Sequence, residues 1–587
     1  MVDLSLDLSQ PHSHLVHVSL RCTPATRVLR LRLPAWTPGS YLIRDYVRHL
    51  EALLVRQGAD QVPAIRTDPA GWQLELPCLD PLEIHYDVLA ADLSVRTCHL
   101  DGDHGFLALA GLVLQVEGER WAAHRLSLRL PSGWEAFVPL PRQGDGTWLA
   151  ADFDQLVDTP VEAGPHRAHH FNVAGVPHRW VCWDATAPRQ SAGSEPSGSA
   201  GDPPDSLLRA HPTLLQDVAA VCEACCRLMG EPRPAAPEYL FVLHLLDQGY
   251  GGLEHDTSTV LQFGRQALLK PEGYRQLLQL VAHEYLHQWN VRRLRPASLS
   301  PIDYDRPVIV PGLWFAEGVT SYFDQLLPQL AGVTSEDEVV HDLGTDLSRY
   351  LLTPGRLHGQ SLHQSAEEAW VKLYRREANS DDNQISYYLK GAILSLVLDL
   401  ELRRSGSSLS QVLRDLWARL GRWRRGYRER DLIEAFAARS PRLADLLPTW
   451  LEGCEDPDLP AYLQDVGLTL EPQLASAPHP GLKAAVKASG LEVVRVERHG
   501  PAQQAGLMVG DELIALEGLR LRKPEDLVPI LMAQQPQVLT ICRRGCLRSL
   551  TITAAAPAIE RWRLLVDPQA SSEALERRRQ WLALVPC

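Results

Sequence analysis

Three residues on one predicted helix have the types and spacing of a hydrolytic metal site. The stretch VAHEYLHQWN (281–290) contains His283, Glu284 and His287 in the order H-E-x-x-H. Residues four apart share a helix face, so both imidazoles can reach one ion. Glu284 lies beside them, where a carboxylate can take a proton from a water molecule at the ion. Two surface histidines and an ordinary glutamate would give the same letters, so the motif needs a third ligand.

A carboxylate separated from the motif by 29 intervening residues is the candidate for that ligand. Glu317 stands in GLWFAEGVTSYF (312–323), a strongly apolar stretch. Burying an unpaired carboxylate there would be costly, and a metal ion would relieve the cost. Two histidines and one glutamate form a common catalytic zinc set that leaves one position open. We therefore predict one Zn²⁺ per chain, bound by His283, His287 and Glu317.

Imidazoles that bind metal usually donate their other N–H group to a carboxylate or a carbonyl. Asn290 follows His287 by three residues. Asp324 follows Glu317 by seven residues and so lies on the same helix face. Both are candidates for orienting the ligands.

The pattern along the chain predicts a multidomain α+β protein. Short alternating stretches between about 12 and 180 indicate an antiparallel β domain, and helical periodicity dominates after 207. A strand pair is predicted at 238–247 and 258–263. Helices are predicted over 271–292, 313–327, 336–352, 365–377 and 384–403. The predicted segments are a β domain (1–186), a flexible Pro/Ser/Gly linker or loop (187–206), a mainly helical catalytic domain (207–475), a small β-rich domain (480–556) and a C-terminal extension (557–587).

Composition narrows the functional class and the compartment. The net charge of −14 argues against general nucleic-acid binding, and the basic run RWRRGYRER (422–430) is more readily a solvated face. Eleven cysteines without regular spacing fit free thiols in a reducing cytosol. Cys222, Cys225 and Cys226 lack a second pair that would complete a zinc site. We find neither a secretory signal nor about 18 consecutive apolar residues, so we expect a cytoplasmic protein without a membrane span.

The combined motifs resemble a known peptidase family. HEYLH followed by WFAEG is similar to the gluzincin metallopeptidases. With HQWNVRRLRP (287–296), WTPGSYLIRDYVRH (36–49) and a C-terminal PDZ-like module, the chain resembles the glycyl aminopeptidase family. The resemblance covers nearly the whole chain. It implies a thermolysin-like catalytic domain and a zinc aminopeptidase that favours N-terminal glycine and alanine on peptides with a free N-terminus.

The resemblance assigns substrate roles to two further stretches. YGGLEHDTST (250–259) is similar to the G-x-M-E-N loop of related aminopeptidases, although Leu and His replace Met and Asn. Gly251 and Gly252 would allow close approach of the substrate backbone, and Glu254 would bind the free α-amine. A hairpin turn with a solvated Glu254 is the alternative. In ISYYLKGA (385–392) the resemblance makes Tyr388 the donor to the oxyanion, with Tyr387 as the alternative.

The C-terminal module leaves more than one function open. HGPAQQAGLMVGDELIALEG (499–518) resembles a PDZ domain of the bacterial protease type, with a helix-like PEDLVPILMAQ after it. Such domains bind a peptide as an added strand and capture its terminal carboxylate, here most readily at 480–490, although the module could equally be a structural docking domain. A zinc endopeptidase that recruits protein substrates through this domain is one alternative to the aminopeptidase. A non-catalytic PDZ peptide-binding protein is the other.

Overall fold

The computed structural model describes residues 1–186 and 206–584. The linker predicted over 187–206 lies outside the described residues except for Ser206, which begins a helix. The chain forms two compact units. Unit 1 comprises Met1–Val310, Leu326–Thr334 and Leu413–Arg428. Unit 2 comprises Pro311–Gln325, Ser335–Val412 and Glu429–Cys587.

Unit 1 begins with three β-sheets, which confirms the β domain. Strands such as Leu15–Cys22 alternate between buried and exposed residues, as expected for sheets with one face on a core. The seven-stranded sheet has the order Trp148–Ala150, His124–Arg129, Val2–Asp7, Leu15–Cys22, Leu82–Leu89, Leu50–Gln57 and Asp60–Val62. The two four-stranded sheets contain Glu135–Phe137, Pro160–Gly164, Gly105–Ala108 and His99–Leu100, and Gln115–Val116, Val28–Arg32, Gly71–Glu75 and Ala64–Asp68.

A five-stranded sheet in unit 1 carries the Gly-Gly stretch at its edge. Its order is Ala168–Val173, Val176–Asp184, Tyr239–Leu246, Ser258–Gly264 and Tyr250–Glu254. The residues 250–254 were expected in a loop, and this expectation was wrong. They pair antiparallel with Ser258–Gly264 because Leu253 is buried in the core and anchors the segment on the sheet. We call Tyr250–Glu254 the glycine strand.

The same sheet bears on the predicted domain boundaries. Ala168–Val173 and Val176–Asp184 precede position 186, and the second of them pairs in parallel with Tyr239–Leu246 beyond it. Residues on both sides of the predicted boundary therefore share one sheet. The five predicted segments stay a prediction.

Helices of unit 1 pack beside these sheets. They are Phe153–Val157, Ser206–Ala210, Leu214–Met229, Arg265–Leu268 and Gly273–Leu286, with 3₁₀ turns at Pro11–Ser13, Tyr46–His49, Leu109–Gly111, Ala297–Leu299 and Gly421–Trp423. Gly273–Leu286 carries the H-E-x-x-H motif and is named the HExxH helix. It is shorter than the predicted 271–292 because the chain after it folds into tight turns, in which Leu294 N donates to Trp289 O over 2.8 Å.

Unit 2 is mainly helical, as predicted for the catalytic domain. A π-helical turn at Trp314–Gly318 continues into Val319–Leu330, which, like Leu409–Arg419, belongs partly to each unit. The other helices are Glu336–Leu351, Gly355–His358, Leu362–Glu367, Ser380–Asn383, Tyr387–Arg404, Glu429–Arg439, Leu443–Glu452 and Leu459–Gln464. Tyr387–Arg404 is named the tyrosine helix. The helix predicted over 365–377 ends at Glu367, and i→i+3 turns follow it.

The PDZ region of unit 2 is built on antiparallel strands. They are Leu482–Lys487, Gly490–Val496, Glu512–Leu516, Leu519–Arg520, Pro536–Arg543 and Cys546–Thr553, with a short helix at Pro501–Gln504. The helix predicted for PEDLVPILMAQ is only a 3₁₀ turn, Pro524–Leu527. Before and after this region, Leu468–Leu474 and Ile559–Val566 pair with each other and form what we call the stalk.

The C-terminal extension ends in the helix Ser572–Leu582. Its Trp581 is fully buried and donates a 2.7 Å hydrogen bond from Nε1 to the hydroxyl of Tyr322. Tyr322 in turn donates to Asp399 on the tyrosine helix over 2.8 Å. The extension is therefore anchored on the helix Val319–Leu330 and, through Tyr322, on the tyrosine helix. None of the helices in the described part of the chain is long and apolar enough to cross a membrane.

A buried histidine connects the HExxH helix to the five-stranded sheet. His178 Nδ1 lies 2.9 Å from the Val176 carbonyl oxygen, and its Nε2 lies 2.9 Å from the Tyr285 hydroxyl. A carbonyl can only accept, so Nδ1 carries the proton and Nε2 accepts from Tyr285. Burial lowers the pKa of His178 from 6.5 to about 4. The imidazole is therefore neutral in the folded protein near neutral pH.

The low pKa of buried His178 predicts that the folded protein becomes less stable at acidic pH. Between pH 6.5 and 4 the unfolded chain binds a proton that folded His178 excludes, so stability falls as the pH decreases through that window. At pH 5 the loss amounts to about 2 kcal/mol. His178→Asn removes the titration, and its melting temperature should fall less between pH 7 and pH 5 than that of the wild type. Equal losses in the two proteins would contradict the assignment.

Candidate active site

The two histidines of the motif lie close together in unit 1. The ring centroids of His283 and His287 are 4.6 Å apart, and their planes are nearly perpendicular, at 89°. His287 Nδ1 lies 2.6 Å from the backbone oxygen of Asn290, so this nitrogen is protonated and Nε2 keeps its lone pair. Asn290 therefore orients His287 through its backbone. Two imidazole nitrogens presented in this way fit a Zn²⁺ ligand set.

The carboxylate of Glu284 packs directly on the glycine strand. Glu284 is only 5% exposed. A Cβ atom on Gly252 would lie 2.2 Å from Glu284 Oε1, which no real side chain tolerates. Ligand atoms of Glu254, Glu284 and His287 all lie within 4.8 Å of one another. The structure thus brings the predicted base, the predicted amine ligand and one predicted zinc ligand together within unit 1.

Glu254 at the end of the glycine strand is 4% exposed, which rules out the hairpin with a solvated glutamate. Its Oε1 has no hydrogen-bond partner among the described residues. Gly39 lies against both of its oxygens, since a Cβ there would be 2.6 Å from each. Gly39 has a φ of +84° in a turn closed by Ser40 N donating to Thr37 O. The buried oxygen is a vacant acceptor for a cationic group.

The contact between Gly39 and the Glu254 carboxylate explains part of the WTPGSY motif. Trp36 Nε1 donates to the Asp303 carbonyl over 2.8 Å, and Ala35 N donates to the Tyr304 carbonyl over 2.8 Å. These bonds fix the turn that brings Gly39 to the Glu254 carboxylate. The sequence analysis used the motif for its resemblance and missed the role of Gly39. The available sequence signal was the Pro38-Gly39 pair, which is typical of a tight turn in which glycine adopts a positive φ.

Arg292 fixes the chain that follows Glu254. Its guanidinium lies 2.6 Å from Asp158 and 3.5 Å from Asp256, and Asp158 also accepts from the backbone N of Asp256. Burial disfavours the charge on Arg292, but Asp158 and Asp256 outweigh it and raise its pKa. The ion pair therefore stays charged and holds the loop beside the HExxH helix. Arg292 was visible in the WNVRRLRP motif, whereas Asp158 carries no sequence signal.

Glu317 and Tyr388 lie together in unit 2. Glu317 is 2% exposed and sits in the π-helical turn, a geometry often found at functional sites. A Cβ on Gly318 would lie 2.5 Å from the Gly391 Cα atom, so this turn and the tyrosine helix touch backbone to backbone. Burial and the nearby charge of Glu317 raise the pKa of Tyr388 well above its usual value. Tyr388 is therefore a protonated donor at neutral pH.

A third tyrosine joins the pair on the tyrosine helix. The hydroxyl of Tyr374 lies 3.0 Å from that of Tyr387 and 3.2 Å from that of Tyr388. Tyr387 is fully buried, whereas Tyr388 is partly exposed. Sequence reasoning missed Tyr374 because KLYRRE has no motif around it. Asp324 is partly exposed on Val319–Leu330, two turns beyond Glu317.

A second cluster of possible metal ligands lies in unit 1. Glu162 accepts hydrogen bonds of 3.0 Å from His104 Nδ1 and 2.9 Å from His244 Nε2, and all three side chains are fully buried. His166 lies 3.1 Å from the same carboxylate. These direct contacts satisfy Glu162 as a hydrogen-bond network. Burial opposes the charge of Glu162, yet the histidines lower its pKa well below the usual value.

Comparison with known families decides the class of the chain. Residues 3–165 match the peptidase M61 N-terminal domain, 276–394 match the M61 glycyl aminopeptidase domain and 492–544 match a PDZ domain. A crystal structure of an aminopeptidase N family protein from Idiomarina loihiensis is 29% identical and covers 99% of this chain and 100% of its own, with a TM-score of 0.89. The chain therefore contains a peptidase M61 N-terminal domain, an M61 glycyl aminopeptidase domain and a PDZ domain. It is therefore a zinc metallopeptidase of the aminopeptidase type.

More remote similarity extends to other peptidase structures. An M1 zinc metallopeptidase from Deinococcus radiodurans is 15% identical and covers 78% of this chain and 95% of its own, with a TM-score of 0.46. Yeast LTA4 hydrolase in complex with bestatin is 13% identical and covers 79% of this chain and 69% of its own, with a TM-score of 0.47. No curated protein matches the M61 chain significantly.

The packing of Gly252 on Glu284 gives a test of the M61 site. Gly252→Ala must displace either the carboxylate or the strand, and a misplacement of about 1 Å can cost roughly a hundredfold in rate. We expect kcat on alanine 4-nitroanilide to fall by about that factor with unchanged metal content. Ser258→Ala on the neighbouring strand serves as the control and should retain activity. A Gly252→Ala variant with wild-type kcat would contradict the close packing.

Proposed function

We propose that this M61 enzyme removes glycine and alanine from the N-termini of peptides, at one zinc ion per chain held by His283, His287 and Glu317. The donor set of two imidazoles and one carboxylate fits catalytic zinc. The hydrogen bond from His287 Nδ1 to Asn290 O supports the role of His287, because it directs the lone pair of Nε2 outward. The deep burial of Glu317 supports its role, since a carboxylate in that setting needs a counter-charge.

The proposed mechanism depends on where this chain holds protons. When bound, zinc polarises the scissile carbonyl and acidifies a water molecule. Glu284 takes a proton as the water attacks and later passes it to the leaving amine. Its contact with Gly252 supports this role, because the absence of a side chain lets the substrate backbone come close to the carboxylate.

The observation that carries the aminopeptidase assignment is the buried Oε1 atom of Glu254, which accepts no hydrogen bond from the described residues. A buried carboxylate oxygen without a hydrogen-bond partner is stabilised by a cation, and the free α-amine of a peptide is such a cation. The glycine strand lies at the edge of its sheet and offers backbone groups to an extended peptide. Glu254 at its end would then fix the N-terminus of that peptide.

The preference for small residues is supported by a confined pocket at Glu254. The lining of this pocket includes Pro38, Gly39, Tyr41 and Arg292 together with Glu254. Gly39 packs directly on the carboxylate, because a Cβ atom at this position would lie 2.6 Å from both of its oxygens. We propose that glycine and alanine fit there and that larger side chains meet the Pro38 to Tyr41 turn.

Tyr388 is the proposed donor to the oxyanion that forms from the scissile carbonyl. Its raised pKa keeps the phenol protonated, and its partial exposure permits contact with substrate. Tyr387 is less suited because it is fully buried. Asp324 is proposed, together with Asn290, to orient the ligands.

The PDZ domain is proposed to bind the C-termini of peptides. Its ligand therefore differs from the substrate of the active site, which is bound by its N-terminus. The ten cysteines in the described part of the chain are free thiols. Together with their odd total of eleven, this supports a reducing compartment, and we propose the cytoplasm.

Substrates with a blocked N-terminus test the proposal. We expect the wild type to cleave Ala-Ala-Phe amide and to leave its N-acetylated form intact, because acetylation removes the charge that Glu254 binds. Glu254→Ala should raise KM for the free peptide by at least about tenfold, as expected when a charged hydrogen bond is lost. Glu254→Gln, which keeps the shape, is the matched control for charge. Equal cleavage of free and acetylated peptides would instead establish an endopeptidase.

The roles of the motif residues are tested by metal content and turnover on one sample. Glu284→Gln should retain one zinc per chain and lose activity by about a thousandfold or more, since the proton acceptor is gone. His287→Ala should lose the zinc, and chelation should abolish wild-type activity until zinc is restored. Unchanged zinc content in His287→Ala would contradict the ligand set, and a chelator-resistant wild type would contradict the zinc mechanism.

A further inference from the structure

The hydroxyl of Tyr374 lies beside two other phenol hydroxyls and carries only one proton. It lies between Tyr387 at 3.0 Å and Tyr388 at 3.2 Å. A Tyr388 that spends its own proton on the oxyanion must accept at its oxygen, and Tyr374 is placed to donate there. Tyr374 then accepts from Tyr387. Chains of hydrogen bonds of this kind polarise one another, so the outermost donor becomes stronger.

Tyr374 itself does not lie on a helix. It belongs to the residues 368–386, the segment between Leu362–Glu367 and the tyrosine helix, which we call the tyrosine loop. Its local structure consists of turns and the short helix Ser380–Asn383. Because this loop has little regular structure, contacts with other elements help to keep the Tyr374 hydroxyl between the two other hydroxyls.

The PDZ region makes such a contact with the tyrosine loop. Arg495, on the PDZ strand Gly490–Val496, lies 3.1 Å from Asp381 and 2.9 Å from Asp382 through its two terminal nitrogens. The side chains of Arg495 and Asp382 are 10% and 6% exposed. This pair is therefore shielded from solvent, where ion pairs are screened least and where loss of one partner leaves an uncompensated charge.

One further ion pair connects the Arg495 contact to the part of the loop that carries Tyr374. Asp381 also accepts from Arg376 over 2.5 Å, and Arg376 follows Tyr374 by two residues. The path from Arg495 to Tyr374 thus consists of two ion pairs and two residues of backbone. All of these groups belong to unit 2.

We propose that Tyr374 is a positioning residue for Tyr388 and that the PDZ domain, through Arg495, holds the tyrosine loop in the arrangement that makes Tyr388 an effective donor. The proposal rests on the proposed function, in which Tyr388 stabilises the oxyanion. In it the PDZ domain contributes to the rate of peptide hydrolysis whether or not it binds a peptide of its own. Because the oxyanion exists only during the reaction, the effect falls on kcat and leaves KM unchanged.

The test is a double-mutant cycle on the full-length zinc enzyme with alanine 4-nitroanilide. Tyr374→Phe and Arg495→Gln should each lower kcat by about tenfold with unchanged KM. The double variant should be no slower than the slower single variant, since both changes act on one donor. Losses that multiply in the double variant, or a kcat within twofold of wild type in either single variant, would overturn the proposal.

Three further variants separate positioning from folding. Arg495→Lys keeps the charge and should restore most of kcat, whereas Asp381→Asn should repeat the Arg495→Gln loss from the other side of the ion pair. Arg543→Gln breaks an ion pair with Asp511 inside the PDZ region and should leave kcat unchanged at any cost in stability. A kcat loss in Arg543→Gln equal to that in Arg495→Gln would reduce the effect to PDZ stability and overturn the proposal.

The outcome can be distinguished from a failure of the proposed function. If the wild type shows no chelator-sensitive turnover, the peptidase mechanism itself fails. If the wild type turns over and loses activity in Tyr388→Phe, but Tyr374→Phe and Arg495→Gln remain at wild-type kcat, only the positioning proposal fails.

Discussion

A carboxylate that is to act on a substrate from a buried position needs a neighbour that takes up almost no space, and here that neighbour is glycine backbone. Gly252 lies against Glu284, and Gly39 lies against Glu254, at distances where a single added Cβ atom would clash. In both pairs the glycine is on a different segment from the carboxylate. Each carboxylate therefore packs directly on glycine backbone, and a side chain at either glycine would have to displace it.

The same constraint operates in unit 2 between two helices. Gly318 and Gly391 let the π-helical turn and the tyrosine helix touch at their backbones. Glu317 immediately precedes the first glycine, and Tyr388 precedes the second by three residues. An alanine at either glycine would separate the helices and move the acid and the phenol apart. The E-G and K-G-A signatures are thus as much packing requirements as chemical ones.

Buried charge is the second constraint, and groups of opposite charge stabilise the buried ions at Arg292 and Glu162. Arg292 remains ionised because Asp158 and Asp256 face it. Glu162 remains ionised because His104 and His244 donate to it. Glu254 differs, since one of its oxygens is without a donor among the described residues. That difference supports the proposed binding role of Glu254, whereas the satisfied charges of Arg292 and Glu162 fit structural roles.

The sequence was most informative where the signal is local. The helical motif, the β domain, the catalytic helices and the PDZ module followed from periodicity and motif resemblance. The glycine strand was predicted as a loop because the sequence 250–259 resembles the G-x-M-E-N loop of related aminopeptidases. Its strand conformation comes from pairing with residues 258–264 and from the burial of Leu253. Propensity does not describe such tertiary pairing.

The functional residues that sequence reasoning missed share this non-local origin. Asp158 meets Arg292 across more than a hundred residues, and Gly39 meets Glu254 across more than two hundred. Tyr374 acquires its neighbours only because the helix predicted over 365–377 stops at Glu367 and the chain turns back. None of these side chains stands in a spacing that predicts its contact. Their chemistry becomes readable only after the fold has placed them.

The way in which the PDZ region is joined to the rest of unit 2 explains why the role of this region has to be tested with point substitutions. The region enters from Leu468–Leu474 and leaves through Ile559–Val566, and these two strands pair as the stalk. The second strand packs on the helix Glu336–Leu351, where Leu564 lies against Gly344, and the helix beyond the strand anchors Trp581 on Tyr322. Truncation before the PDZ region would remove these contacts together with the domain. A loss of activity after truncation would therefore report on helix packing, whereas the ion pair of Arg495 can be broken while the stalk stays in place.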